Sequence, residues 1–142
     1  MKTEFNYEIK AELDISGGAA SPVYADLGIC MKSVSQSLNE QVYKAAYLSD
    51  DGFSSSEVIG GQLSLTFVGD KRVGDPLCDY LLSPPVLYGI GNMRKSKLKI
   101  SRANKTVTWQ VTLAEIAETG GAADKPCGIK LVIHGNGKPV VA

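Results

Sequence analysis

The sequence is short of nearly everything from which an active site is usually built. Its 142 residues hold a single histidine, His134, and three cysteines, Cys30, Cys78 and Cys127, which lie far apart. No CxxC or HxxxH pair is present, so the sequence spells out neither a zinc signature nor a disulfide framework. The thiols are expected to be reduced and mostly buried. With one histidine, no Ser/His/Asp or Cys/His arrangement can be assembled with any specificity. His134 continues an Ile-Val-Ile strand pattern on the side opposite Ile133 and reads as structural. Gly89-Ile90-Gly91 is not GxGxxG and follows prolines rather than a strand, which argues against a nucleotide loop.

Charge of one sign is also missing. Fifteen basic and fifteen acidic residues cancel, without the basic excess of a dedicated nucleic-acid binder. No apolar run approaches the ~20 residues of a membrane helix. The opening MKTEFNYEIK has no apolar stretch of the signal-peptide kind. The expectation is a protein made and used in solution, with no membrane partner. Asp50, Asp51, Asp70, Asp75 and Asp79 are the candidate carboxylates for acid/base work. Four of them fall at turns or a helix start, where aspartate is favoured for backbone hydrogen bonding. The sequence thus points away from an enzyme, with no catalytic, cofactor or metal residues to name.

What is present is a mainly β pattern. Hydrophobic residues make up 44% and charged residues 21%, ordinary values for one globular domain spanning 1–142. Phe5, Tyr7, Ile9, Ala11, Leu13 and Ile15 alternate with polar residues, which predicts a strand over Phe5–Ile15 with one dry face. A weaker alternation of Leu27, Ile29 and Met31 predicts a second strand within Val23–Ser37. Leu63, Leu65 and Phe67 share one face of a strand over Gly61–Gly69. Asp75 and Pro76 suit the N-cap and first position of a short helix carrying Leu77, Tyr80 and Leu81 on one side. Pro84 and Pro85 are expected to stop it. Val107, Trp109, Val111 and Leu113 define a strand over Lys105–Glu118, joined by an Ala103-Asn104 turn to a basic strand over Arg94–Arg102. Ile129, Leu131 and Ile133 form the last strand. The sum is an antiparallel β-sandwich or barrel with one short inserted α-helix.

Three features exceed what such a fold requires. Lys95, Lys97 and Lys99 share one face, opposite Ser96, Leu98 and Ile100, with Arg94 and Arg102 at the ends. That ladder could contact phosphate, yet no aromatic residue is interleaved to stack on bases. A solvated or charge-paired face, with partners such as Glu8 and Glu12 of the first strand within or between subunits, is the reading favoured over nucleic-acid contact. Residues 38–56 hold Leu38, Val42, Tyr43, Tyr47, Leu48 and Phe53 with no period that would bury them in one sheet. A loop of this length is often functional, and aromatic residues are enriched at interface cores. Finally, residues 135–142, GNGKPVVA, read as an extended arm carrying Lys138 and Val140. These eight side chains are the candidate subunit-interface residues. The competing reading folds the loop back on its own core.

YEIKAELDIS, SLNEQVYKAAYLSDDGF, GGQLSLTFVGDKRVGDPLCDYLLS, TVTWQVTLAEIAETGGAAD and IHGNGKPV, in this order and spacing, resemble the major tail tube proteins of long-tailed phages and prophages of Gram-positive bacteria. The resemblance runs over most of the chain and rests on no single motif. It implies a β-sandwich or barrel with a flanking helix, six subunits to a ring, and stacked rings forming a conduit for genomic DNA, which passes without specific binding. It assigns 38–56 to the assembly loop and 135–142 to the arm. It implies a virion tail location after assembly in the host cytoplasm. The implied partners are further copies, a tape measure protein, and tail terminator and distal tail proteins, with no cofactor. The lysine ladder departs from a lumen through which DNA slides and is expected to face away from it. A capsid decoration or head-tail connector protein, or a β-sandwich surface-binding module, are the alternatives.

Overall fold

The computed structural model describes residues 1–18 and 20–142. Its strands are β1 (Lys10–Asp14), β2 (Tyr24–Asp26), β3 (Met31–Ser37), β4 (Gln41–Ala46), β5 (Ser54–Gly60), β6 (Ser64–Asp70), β7 (Lys95–Arg102), β8 (Lys105–Thr119), β9 (Gly128–Gly135) and β10 (Val140–Val141). Two short helices, α1 (Pro76–Leu81) and α2 (Pro84–Leu87), separate β6 from β7. The main sheet runs β2-β1-β7-β8-β9-β6-β3, with β10 on β8, and every pairing is antiparallel. A mainly antiparallel β fold is as the sequence pattern implied. The helix count is not: Pro84 and Pro85 do end α1, but they also open α2, because proline's fixed φ suits a first helical turn.

Chain connectivity explains the shape of the sheet. The outermost strands, β2 and β3, are consecutive in sequence and joined through a 3-10 turn at Leu27–Ile29. Laid flat, seven strands would place their outer members about 29 Å apart. Five Cα steps from Asp26 to Met31 reach about 18 Å at most. The sheet must therefore curl until its two margins come near each other. It does not close, since β2 and β3 do not pair.

The concave side takes the apolar half of each strand. Leu13, Leu65, Phe67, Leu98, Val111, Leu113, Ile129, Leu131 and Ile133 point there and form one cluster with Leu77 and Leu81 of α1 and Val86 of α2. Each fully buried Leu or Ile contributes roughly 1.5–3 kcal/mol. Arg94 ties the helices to the sheet: its guanidinium donates to the Leu87 carbonyl at 2.6 Å and the Leu113 carbonyl at 3.3 Å. Arg94 belongs to a 3-10 turn, Gly91–Arg94, and so not to the lysine ladder.

Two sequence expectations are corrected, and one strand carries an irregularity. The first strand starts at Lys10, not Phe5, because the Glu8 carboxylate accepts the Phe5 N–H at 2.8 Å and closes a turn over Asn6–Glu8. The alternation of Leu27, Ile29 and Met31 is not one strand; Asp26 accepts the Gly28 N–H at 2.8 Å and turns the chain between two strands. β8 carries a bulge between Ala114 and Ala117, with Glu115 at φ 47, which resets the inward parity so that Ile116 enters the core.

Candidate assembly surface

Residues 38–56 are not an irregular loop. They contain most of a β-hairpin, β4 against β5, with Val42 opposite Val58, Tyr43 opposite Glu57 and Lys44 opposite Ser56. The tip is a 3-10 turn at Leu48–Asp50, where Asp50 accepts the Tyr47 N–H at 3.2 Å, followed by Asp51 and Gly52 at positive φ. Period-two patterning fails here for a physical reason. No residue of either strand is buried, so neither face was selected to be the dry one. A two-stranded hairpin with no covered face is marginal in water.

The hairpin grows from the β3–β6 pair through a narrow neck. The Gln62 N–H donates to the Leu38 carbonyl at 2.7 Å, and the Asn39 amide donates to the Gln62 carbonyl at 3.3 Å. A Cβ on Gly61 would meet the Leu38 carbonyl at 2.9 Å, so glycine allows the two chain segments to approach this closely. The Gln62 side chain reaches the Gly135 carbonyl at 3.3 Å and fixes the neck to the body.

All eight candidate interface residues lie at the surface. Leu38, Val42, Tyr43, Tyr47, Leu48 and Phe53 are exposed on the hairpin or its neck, with Val42 at 47%, Tyr47 at 59% and Phe53 at 79%. Val58 and Ile59, just past the boundary chosen from sequence, are as exposed and belong to the same surface. Their position beside the apolar stretch was the available signal. The reading in which this segment folds back on its own core is therefore overturned.

Lys138 is exposed and Val140 is exposed on β10. Gly135 closes β9, the chain bends at Gly137, and the rest runs along β8: Val140 and Val141 pair with Thr108 and Val107, and the Asn136 N–H donates to the Gln110 carbonyl at 2.7 Å. β9 covers only Val111–Thr119 of β8, and β10 takes up the edge that remains.

A second feature lies at the unclosed seam. A groove of about 510 Å³ opens between the β1–β7 side and the β3–β6 side, lined among others by Ala11, Val34, Phe67 and Ile100. Val34 shares the concave face with Phe67, its register partner, yet is 39% exposed. The outer margin of β3 carries backbone groups that pair with no strand, a template for strand addition.

The lysine ladder lies on the convex face of β7. Lys99 is the register partner of Glu12, as charge pairing would require. Its ammonium nevertheless sits 4.6 Å over the Tyr24 ring, while Glu12 pairs with Lys10 at 3.3 Å and Glu8 with Lys2 at 3.2 Å. Within one subunit and among the described residues, no ladder lysine pairs with Glu8 or Glu12. Asp50 caps the hairpin turn, Asp51 occupies the left-handed position after it, and Asp70 pairs with Lys32 at 3.0 Å. Asp79 is exposed in the first turn of α1. His134 is half-buried on β9, paired in register with Thr112 and Ser64. No helix is long and apolar enough to cross a membrane among the described residues.

No protein-family model and no curated protein matches the chain. Solved structures do. The tail of an empty gene transfer agent particle, refined with C6 symmetry, superposes with a TM-score of 0.74 at 14% identity over 99% of both chains. A sheath/tube terminator of an extracellular contractile injection system superposes at 0.64 with 10% identity, covering 100% of this chain and 98% of that one. A tube-terminating cap of the anti-feeding prophage gives 0.63 with 9% identity, over 100% and 94%. This chain shares its fold with these parts of tails and tube terminators.

Proposed function

We propose that this chain is a phage tail tube subunit, a structural protein that acts by joining copies of itself. One observation carries the reading: the β4–β5 hairpin bears apolar side chains on both faces and buries neither. The likeness to tail and tube proteins supports it. In this reading the hairpin and the free margin of β3 are covered by neighbouring subunits. Six copies close a ring by head-to-tail contacts, and rings stack into a filament. The C6 symmetry of the gene transfer agent tail supports the number six.

The tube is a conduit for DNA on its way out of the particle. A dense lysine stripe in the lumen would hold phosphates, so the Lys95–Lys97–Lys99 face turns away from it. A tape measure protein inside, and tail terminator and distal tail proteins at the ends, complete the set of partners. Assembly takes place in the bacterial cytoplasm and the product is part of the virion. A surface-binding module is the second reading, favoured by the exposed Tyr47 and Phe53 at the hairpin tip.

Electron microscopy of the concentrated protein tests the proposal. Rings or tubes with copies of this chain in the wall are expected. A chain that stays monomeric, even when its phage partners are supplied, overturns the proposal.

A further inference from the structure

Two cysteines and one aspartate, scattered in sequence, meet in the interior. Cys30 follows the 3-10 turn that joins β2 to β3, and Asp75 and Cys78 belong to the start of α1. The Sγ atoms of Cys30 and Cys78 and a carboxylate oxygen of Asp75 all lie within 4.8 Å of one another. The residues are 3%, 1% and 8% exposed. Asp75 sits at the N-cap of α1 but caps nothing, and its Oδ2 is buried with no hydrogen-bond partner. A buried carboxylate oxygen left unpaired is costly.

The surroundings hold this cluster in place. The Asp70 N–H donates to the Cys30 carbonyl at 3.0 Å. Gly69 packs so closely on Cys30 that an added Cβ would lie 2.1 Å from that carbonyl oxygen. Burial, and then the neighbouring Cys78 and Asp75, push the Cys30 thiol above its ordinary value of 9.0. A disulfide would join the two sulfurs and leave the Asp75 oxygen as it is. A cation would satisfy all three groups together.

We propose that Cys30, Asp75 and Cys78 form a site for a thiophilic divalent cation of the zinc class. Two thiolates and one carboxylate are ordinary zinc donors, and water takes the fourth tetrahedral position. Binding releases the two thiol protons to solvent as the two metal–sulfur bonds form. The ion would tie α1 to the turn between the two unpaired margins of the sheet, making it a structural staple independent of any partner.

Cobalt titration of the full, reduced chain tests this. One Co²⁺ per chain should bind with thiolate-to-cobalt charge-transfer absorption, Zn²⁺ should displace it, and the melting temperature should rise with metal concentration. Cys30→Ser and Cys78→Ser should abolish the absorption, and Cys127→Ser should keep it. Asp75→Asn should weaken cobalt binding by at least the ~10-fold that even an outer-shell loss produces. Wild-type protein without the absorption overturns the site, whatever the variants do. So does absorption that depends on Cys127, or a mass spectrum of unreduced protein in which Cys30 and Cys78 are joined to each other.

Discussion

Val42 and Val58 face each other across the β4–β5 hairpin, and each keeps about half or more of its surface in water. A directly opposed β-branched pair ordinarily marks the dry side of a sheet. Here it marks a side that has no cover within one chain, and Tyr43 and Ile59, next in sequence to the pair, are also exposed.

The hairpin tip should therefore matter for association and not for folding. Burying Phe53 in a neighbour is worth about 2 kcal/mol, so Phe53→Ser should weaken self-association about 30-fold per contact. The stability of the isolated subunit should move by no more than about 0.5 kcal/mol, as for other exposed positions. Sedimentation velocity reads the first quantity and urea denaturation the second. Unchanged association would remove the tip from the interface.

The body should respond in the opposite way. Leu131 is 0% exposed at the centre of the curled sheet. Leu131→Ala should cost about 2–5 kcal/mol in the same urea experiment, with the hairpin sequence intact.

Two glycines offer a matched comparison. At Gly69 a new Cβ would lie 2.1 Å from the Cys30 oxygen and 2.6 Å from the Met31 Cα, both backbone atoms, while at Gly120 it would meet nothing within 4 Å. Gly69→Ala should destabilise by about 1–3 kcal/mol or more. Gly120→Ala should stay within about 0.5 kcal/mol. Equal melting temperatures for the two variants would contradict the close packing of β6 on Cys30.

Alkaline pH provides a fourth test. Burial, and then the Asp14 carboxylate, raise the Tyr80 phenol above its ordinary 10.0. The unfolded chain loses this proton first, so the Tyr80 contribution is fully present below pH 10.0 and declines as pH rises toward the folded value. Tyr80→Phe should show a shallower fall in stability above pH 10.0 than wild type. Parallel curves would mean that Tyr80 titrates alike in both states.

Much of the body could be read from the order of residues. Leu63, Leu65 and Phe67, or Ile129, Leu131 and Ile133, announce their strands because one face is buried and the other is not. The hairpin escaped that logic, since its faces are both wet in a single subunit. The turn at Leu27–Ile29 was hidden by chance alternation, and only the Asp26 contact to Gly28 breaks it. The bulge at Glu115 leaves no mark in composition; it becomes visible when Ile116 is found inside. The Cys30–Asp75–Cys78 cluster was invisible for a different reason. Its spacing matches no metal motif, and proximity arises from the curl of the sheet.

The step from Asp26 to Met31 makes the domain a split ring with a tether. At a full reach of about 18 Å, which the 3-10 turn at Leu27–Ile29 shortens, and a strand spacing of about 4.8 Å, the gap admits at most two guest strands. A neighbour could thus slot into the slit and complete the circumference without unrolling the host, and a bulkier visitor would be turned away.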